Sequence, residues 1–169
     1  PMEEAPISSE TSQEVAGLVS KVKAALGIGD EYTNFYGYPY EDPFGKTYQF
    51  SWNNEQEDIS VTVDTEGQIL NYHRNIYSRN NRYSSDFAPS FPKQETAALR
   101  NAAEAFLTKV LKSNETGSFE KENRISLDGS NTQTQYFHGT IIINGVSSPL
   151  YFSLEIDIAD MQVISFYRD

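Results

Sequence analysis

Two stretches of this chain, SVTVDTEGQILNYHR at 60–74 and SLEIDIADMQVISFYRD at 153–169, run through one plan. Each is an apolar strand, an acid, a turn and a second apolar strand. Val63-Asp64 matches Ile156-Asp157, Ile69-Leu70 matches Val163-Ile164, Tyr72 matches Phe166 and Arg74 matches Arg168, with one extra residue in the second turn. Alternation at period two makes each arm a half-buried antiparallel strand. An internal repeat of this length implies two similar halves, and halves of about eighty residues, each marginal alone, gain by packing together.

Inside that plan the acids read as turn formers. In DTEG, Asp64 can accept hydrogen bonds from N–H groups of its own turn, and Gly67 can take a positive φ. DIAD has no glycine, so Asp160 is expected to take the left-handed conformation instead. Leu70 and Tyr72, with their counterparts Ile164 and Phe166, are expected to face the core. His73 falls on the other face beside Asn71, and its counterpart is Tyr167. It therefore reads as an exposed strand residue and not as a catalyst.

A helix precedes each set of strands. Val15, Leu18, Val19, Val22, Ala25 and Leu26 recur at spacings of three and four, which predicts a helix over Thr11–Leu26 with one buried stripe. Thr11 and Glu14 supply a capping box, and Gly27 and Gly29 stop the helix. Leu99, Ala102, Ala103, Phe106, Leu107, Val110 and Leu111 predict a second helix over Pro92–Lys112, with Pro92 in the first turn. Strands follow where the period changes to two: Tyr48, Phe50 and Trp52; Ile59, Val61 and Val63; Phe137, Ile141 and Ile143; Phe152, Leu154 and Ile156. The expected organisation is a disordered tail at 1–10, a first unit at 11–78, a surface linker at 79–91 and a second unit at 92–169.

Charge and composition narrow the function. Twenty-four acids against thirteen bases give a net charge of -11. Such a chain repels phosphate backbones and anionic lipid surfaces, so neither nucleic acid nor a membrane is an expected partner. No apolar run approaches the roughly 20 residues that span a bilayer. The chain has no cysteine, which excludes disulfides, thiolate metal sites and a cysteine nucleophile. The sequence contains no G-x-S-x-G elbow, no H-E-x-x-H helix and no glycine-rich phosphate loop, so no enzymatic activity and no cofactor are expected. A pair of carboxylates working as a glycosidase remains the alternative among hydrolases. NNEQED, DTEG and DGSNT are oxygen-rich, but none has the twelve-residue pattern of a calcium loop, and no metal site is expected.

The helix ending in ALGIGDEY, the aromatic strand YQFSW and the strand-turn-strand VTVDTEGQIL together resemble the PepSY-type repeat. More closely they resemble the YcdB/YcdC-type repeats of Gram-positive envelope proteins. The resemblance covers 11–78 along its length and 92–169 at its helix and last two strands. It implies an α+β fold of two tandem PepSY-like repeats, each with one helix on an antiparallel sheet of three to four strands. It also implies an extracellular or cell-surface location, no catalysis, and binding of a protein, such as a secreted protease or a neighbouring domain, in an inhibitory or propeptide-like role.

The residues add one candidate surface of their own. EYTNFYGYPYEDPFGKTYQFSW, residues 31–52, holds nine aromatics in 22 positions. Aromatic rings anchor protein partners and stack on sugar faces. Tyr36, Tyr38, Tyr40 and Phe44 are the candidate binding residues, with cell-wall carbohydrate as the alternative partner. The competing reading has the alternate aromatics packed over the helix and GYPYEDPFG as a long hairpin loop.

Overall fold

A computed structural model of the chain describes residues 9–77, 96–120, 124–127, 133–158 and 160–169. The 79–91 linker and nearly all of the 1–10 tail lie outside the described residues, as does DGSNT. Two helices and nine strands are described: α1 (Ser9–Leu26), β1 (Asn34–Asp42), β2 (Gly45–Asn53), β3 (Glu57–Asp64), β4 (Ile69–Ile76), α2 (Thr96–Val110), β5 (Glu115–Phe119), β6 (Arg124–Leu127), β7 (Gln133–Ile143), β8 (Val146–Asp157) and β9 (Gln162–Arg168).

Helix α1 begins two residues before the expected start, which puts Thr11 inside the helix and not at its cap. Its stripe lies as the periodicity requires, with Leu18 and Val22 buried and Val15, Val19, Ala25 and Leu26 packed against the core. Gly27, at φ 67°, ends it, and the Ile28 N–H reaches back to the Lys23 carbonyl at 3.0 Å. That is the Schellman closure, and it needs a residue free to take positive φ. Helix α2 has no such glycine. It ends at Val110, two residues short of the expected Lys112, and the Glu115 carboxylate accepts from the Lys112 N–H at 3.0 Å just past its end.

All nine strands join one antiparallel sheet, in the order β1-β2-β3-β4-β9-β8-β7-β5, with β6 also pairing β7. The fold is α+β as expected, but the expected separate sheets are a single one. The reason is the join at the centre, where β4 and β9 pair with Asn71 opposite Tyr167, Tyr72 opposite Phe166 and His73 opposite Ser165. Left apart, each of these strands would present an open edge of unpaired N–H and C=O groups, and pairing them removes both edges. One face of the sheet carries a single apolar core that includes Tyr48, Phe50, Val61, Phe137, Phe152, Leu154 and residues of both helices. Phe106 of α2 lies over the central pair, 5.2 Å from the Tyr72 ring and 5.7 Å from the Phe166 ring.

The two matched hairpins share an irregularity that simple alternation does not foresee. The register slips between Thr62 and Val63, where β3 pairs β4, and between Glu155 and Ile156, where β8 pairs β9. Val63 then lies opposite Ile69, and Ile156 opposite Val163. The side chains buried beside Tyr72 and Phe166 are therefore Ile69 and Val163, while Leu70 and Ile164 are only half-buried. The expectation for Leu70 and Ile164 is corrected by one residue, because a bulge reverses the facing of everything on its far side.

Phe166 is fully buried at the join. Phe166→Ala is expected to cost about 3–5 kcal/mol, the range for deleting a buried aromatic, read as a lowered urea midpoint.

Candidate functional site

Strand β1 is the outer strand of the first half, and its geometry decides which of its aromatics are free. Phe35 turns to the core side and packs on Phe50 and Trp52, with ring centroids 6.0 and 5.3 Å away. A Cβ on Gly37 would stand 3.0 Å from the Phe35 ring and 3.1 Å from Phe50, so glycine makes room for that packing. By alternation, Tyr36, Tyr38 and Tyr40 project from the opposite, open face. They are 62%, 51% and 54% exposed. Tyr38 donates its hydroxyl to Gln49 Oε1 at 3.3 Å, and Asn34 pairs with Asn53 at 3.0 Å on the same face.

GYPYEDPFG, a long hairpin loop on the competing reading, is mostly strand. The β1–β2 hairpin narrows to Pro43 and Phe44 between the paired Asp42 and Gly45. Asp42 Oδ1 accepts from the N–H groups of Phe44 at 2.8 Å and Gly45 at 3.0 Å. This aspartate-turn chemistry fixes the tip, with Gly45 at φ 146°. Phe44 stands at the tip, 98% exposed. Because Thr47 already lies opposite the last residue of β3, the hairpin tip projects beyond its neighbour. All four sequence-selected aromatics, Tyr36, Tyr38, Tyr40 and Phe44, are thus brought together on one hairpin and left in solvent.

The open face continues across the sheet as a hydroxyl- and amide-rich surface, with Asp58 and Glu155 as its acids. Beside the tyrosines lie Thr47, Gln49 and Ser51, then Ser60 and Thr62, then Asn71 and His73, each identified by its partner in the ladder. On the far side of the central join stand Ser165 and Tyr167, the latter 6.2 Å from Tyr151. His73 is exposed here, as expected. His138 pairs with Glu120 at 2.9 Å. Among the described residues, no three His, Cys, Asp or Glu side chains gather to hold a metal ion, and no helix is long and apolar enough to cross a membrane.

The acids serve the fold. Asp64 Oδ1 accepts from the N–H groups of Glu66 at 2.9 Å and Gln68 at 2.8 Å, and Gly67 has φ 81°. Asp157 accepts from the Asp160 N–H at 3.2 Å. The left-handed residue of that turn is Met161, at φ 57°, and not Asp160. The extra residue in this turn moves the strained position one step along.

Two ion pairs escaped the sequence reading. Arg74 donates to Glu57 through Nε at 2.6 Å and Nη2 at 3.0 Å, and Tyr32 donates to the same carboxylate at 2.6 Å. Burial, followed by that bond to Glu57, pushes the Tyr32 phenol well above its ordinary value, so it stays a donor. Arg168 donates to Glu115 through Nη1 at 2.6 Å and Nη2 at 3.2 Å, with both side chains 5% exposed. The signal was present: Arg74 and Arg168 occupy core-facing positions two residues after Tyr72 and Phe166, and a buried guanidinium requires an acid.

Two helices on one face of a single antiparallel sheet, with the other face solvated, make a PepSY-like fold. The chain belongs to the family described as "YcdB, YcdC repeated domain", whose profile matches residues 17–168. Among solved structures it is similar to the Bacillus megaterium YpeB C-terminal domain, at 12% identity and a TM-score of 0.53. That likeness covers 90% of this chain and 61% of the neighbour, so the chain spans less than two thirds of that structure. A comparison with curated protein sequences finds no match.

Burial raises the Glu115 carboxyl, but the hydrogen bonds from Arg168 and the Lys112 N–H outweigh it, and the net shift is downward from 4.5. A lowered folded value stabilises the fold above the unfolded value and is lost as pH falls through the folded one. Glu115→Gln is expected to lower stability by about 3–5 kcal/mol, since it leaves Arg168 buried without its counter-charge. The variant's stability should also fall less steeply than the parent's on acidification below pH 4.5. Urea unfolding across a pH series measures both effects.

Proposed function

We propose that this chain is a non-catalytic module of an exported or cell-surface protein that binds a protein partner through the β1–β2 hairpin. The observation that carries the reading is Phe44, fully in solvent on a turn held by two hydrogen bonds to Asp42 and continuous with the tyrosine row. An exposed aromatic on a rigid turn loses little conformational freedom on binding, and rigid aromatic anchors dominate interface energetics. A projecting finger of this shape fits a concave surface, such as the cleft of a secreted protease or the groove of a neighbouring domain. An inhibitory or propeptide-like role follows from that fit by analogy of fold.

The module reads as two tandem repeats, residues 11–78 and 92–169, made by duplication. Three correspondences support this: the bulge at the same step of each hairpin, the arginine at the same place after each central aromatic, and the pairing of Tyr72 with Phe166. An absence of cysteine accords with an exported bacterial protein. A second reading, a cell-wall carbohydrate module, draws on the open face, where tyrosine rings stand beside hydroxyl and amide groups instead of charges.

A pull-down from the secreted fraction of the parent organism with the intact chain is expected to retain a protein. Phe44→Ala and the double change Tyr38→Ala/Tyr40→Ala should each lose it, at least tenfold in Kd, with a thermal midpoint close to that of the parent. Sedimentation with insoluble peptidoglycan, lost in the tyrosine variant, would replace this reading with the carbohydrate one. Turnover of a chromogenic glycoside, abolished by one carboxylate change, would overturn both.

A further inference from the structure

Away from the hairpin, the last two turns of α1, the end of α2 and the β3–β4 turn enclose a cleft of about 470 Å³. That volume lies within the range of small-molecule sites. Its lining has two parts. Ala25 and Leu111, both half-buried against the core, contribute apolar surface. Lys21, Lys109 and Lys112 supply ammonium groups.

Such a concentration of cations is out of keeping with a chain of net charge -11. Lys21 Nζ donates to the Glu66 carbonyl at 2.6 Å, which holds its stem across Gly67. Lys112 Nζ lies 3.6 Å from Glu66 Oε2. The Glu66 side chain is 76% exposed and Lys112 48%, so this pair is loose and solvent-screened. Lys109, in the last turn of α2, has no ion pair among the described residues.

The balance of charge says what the cleft would accept. Each helix C-terminus brings roughly half a negative charge. The two ends and Glu66 offset about two of the three ammonium groups, which leaves the cleft with a surplus of about one positive charge. The Glu66 carboxylate already occupies the place of an anion beside Lys112 and is free to leave it.

We propose that this cleft binds an amphipathic organic carboxylate, with its aliphatic body against Ala25 and Leu111 and its carboxylate between Lys109 and Lys112. Glu66 acts as an internal competitor that the ligand displaces. A free medium-chain fatty acid and the carboxylate of an aliphatic amino acid share this chemistry.

Calorimetric titration of the intact chain with octanoate, N-acetyl-leucine, acetate and octylammonium tests the proposal. Octanoate or N-acetyl-leucine should saturate one site, and the tighter of the two identifies the source of the carboxylate. Acetate, which lacks the body, and octylammonium, which lacks the charge, should bind at least tenfold more weakly. Lys109→Met/Lys112→Met should weaken the anion at least tenfold, and Glu66→Gln should tighten it several-fold. Equal binding of octylammonium, retention of affinity in the lysine variant, or no saturation by either anion at millimolar concentration would each overturn it. If the lysine variant unfolds, the Glu66→Gln result decides, because Glu66 is exposed and its loss leaves the core untouched.

Discussion

The pairing of β4 with β9 is the contact on which the rest of the architecture depends. It is short, with three residues of each strand in register, and it places Tyr72 against Phe166 beneath Phe106. Both partners are the last strands of their halves, so the pairing turns two half-sheets into one and leaves β1 at one outer side. Backbone pairing alone would specify this register weakly. The aromatic trio fixes it, because a slip of one residue would move Tyr72 or Phe166 out of the core.

Polar interactions then lock the periphery of that frame. Arg74 and Arg168 point to the core side just beyond the central aromatics, and each is neutralised bidentately by a glutamate. The partners come from different places, Glu57 on the adjacent strand and Glu115 at the start of β5. The halves thus keep the requirement for an acid while meeting it with different residues. The helix ends differ: α1 closes on Gly27, whereas beyond α2 the Lys112 N–H donates to the Glu115 carboxylate.

The binding surface follows from the same frame. With Phe35 turned to the core side against Trp52 and Gly37 giving it room, the tyrosines of β1 fall on the open face. Pro39 in the middle of an outer strand is at home there, since it removes an N–H that no ladder requires. It also discourages a further strand from adding to the sheet, which leaves side chains and not backbone to make contact with a partner. The candidate aromatics were legible because their density in 31–52 is a property of the sequence. Their arrangement on a strand with a two-residue tip was not, because an Asp-Pro-Phe-Gly turn reads equally well within a longer loop. The lysine cleft was not legible at all: Lys21, Lys109 and Lys112 are brought together by the packing of two helices and a distant turn.

The sequence by itself determined the two helices, the strands that carry Phe50, Val61, Tyr72, Phe137, Leu154 and Phe166, and the turn role of Asp64. Hydrophobic period and turn chemistry act over a few residues, and a few residues are enough to read them. Tertiary structure decided what those local rules leave open: that the two halves share one sheet, that a bulge puts Ile69 and Val163 in the core in place of Leu70 and Ile164, and which acid meets each buried arginine. Each of these is a choice among long-range partners. It is settled by which pairing buries aromatic surface without leaving a charge or an open edge behind.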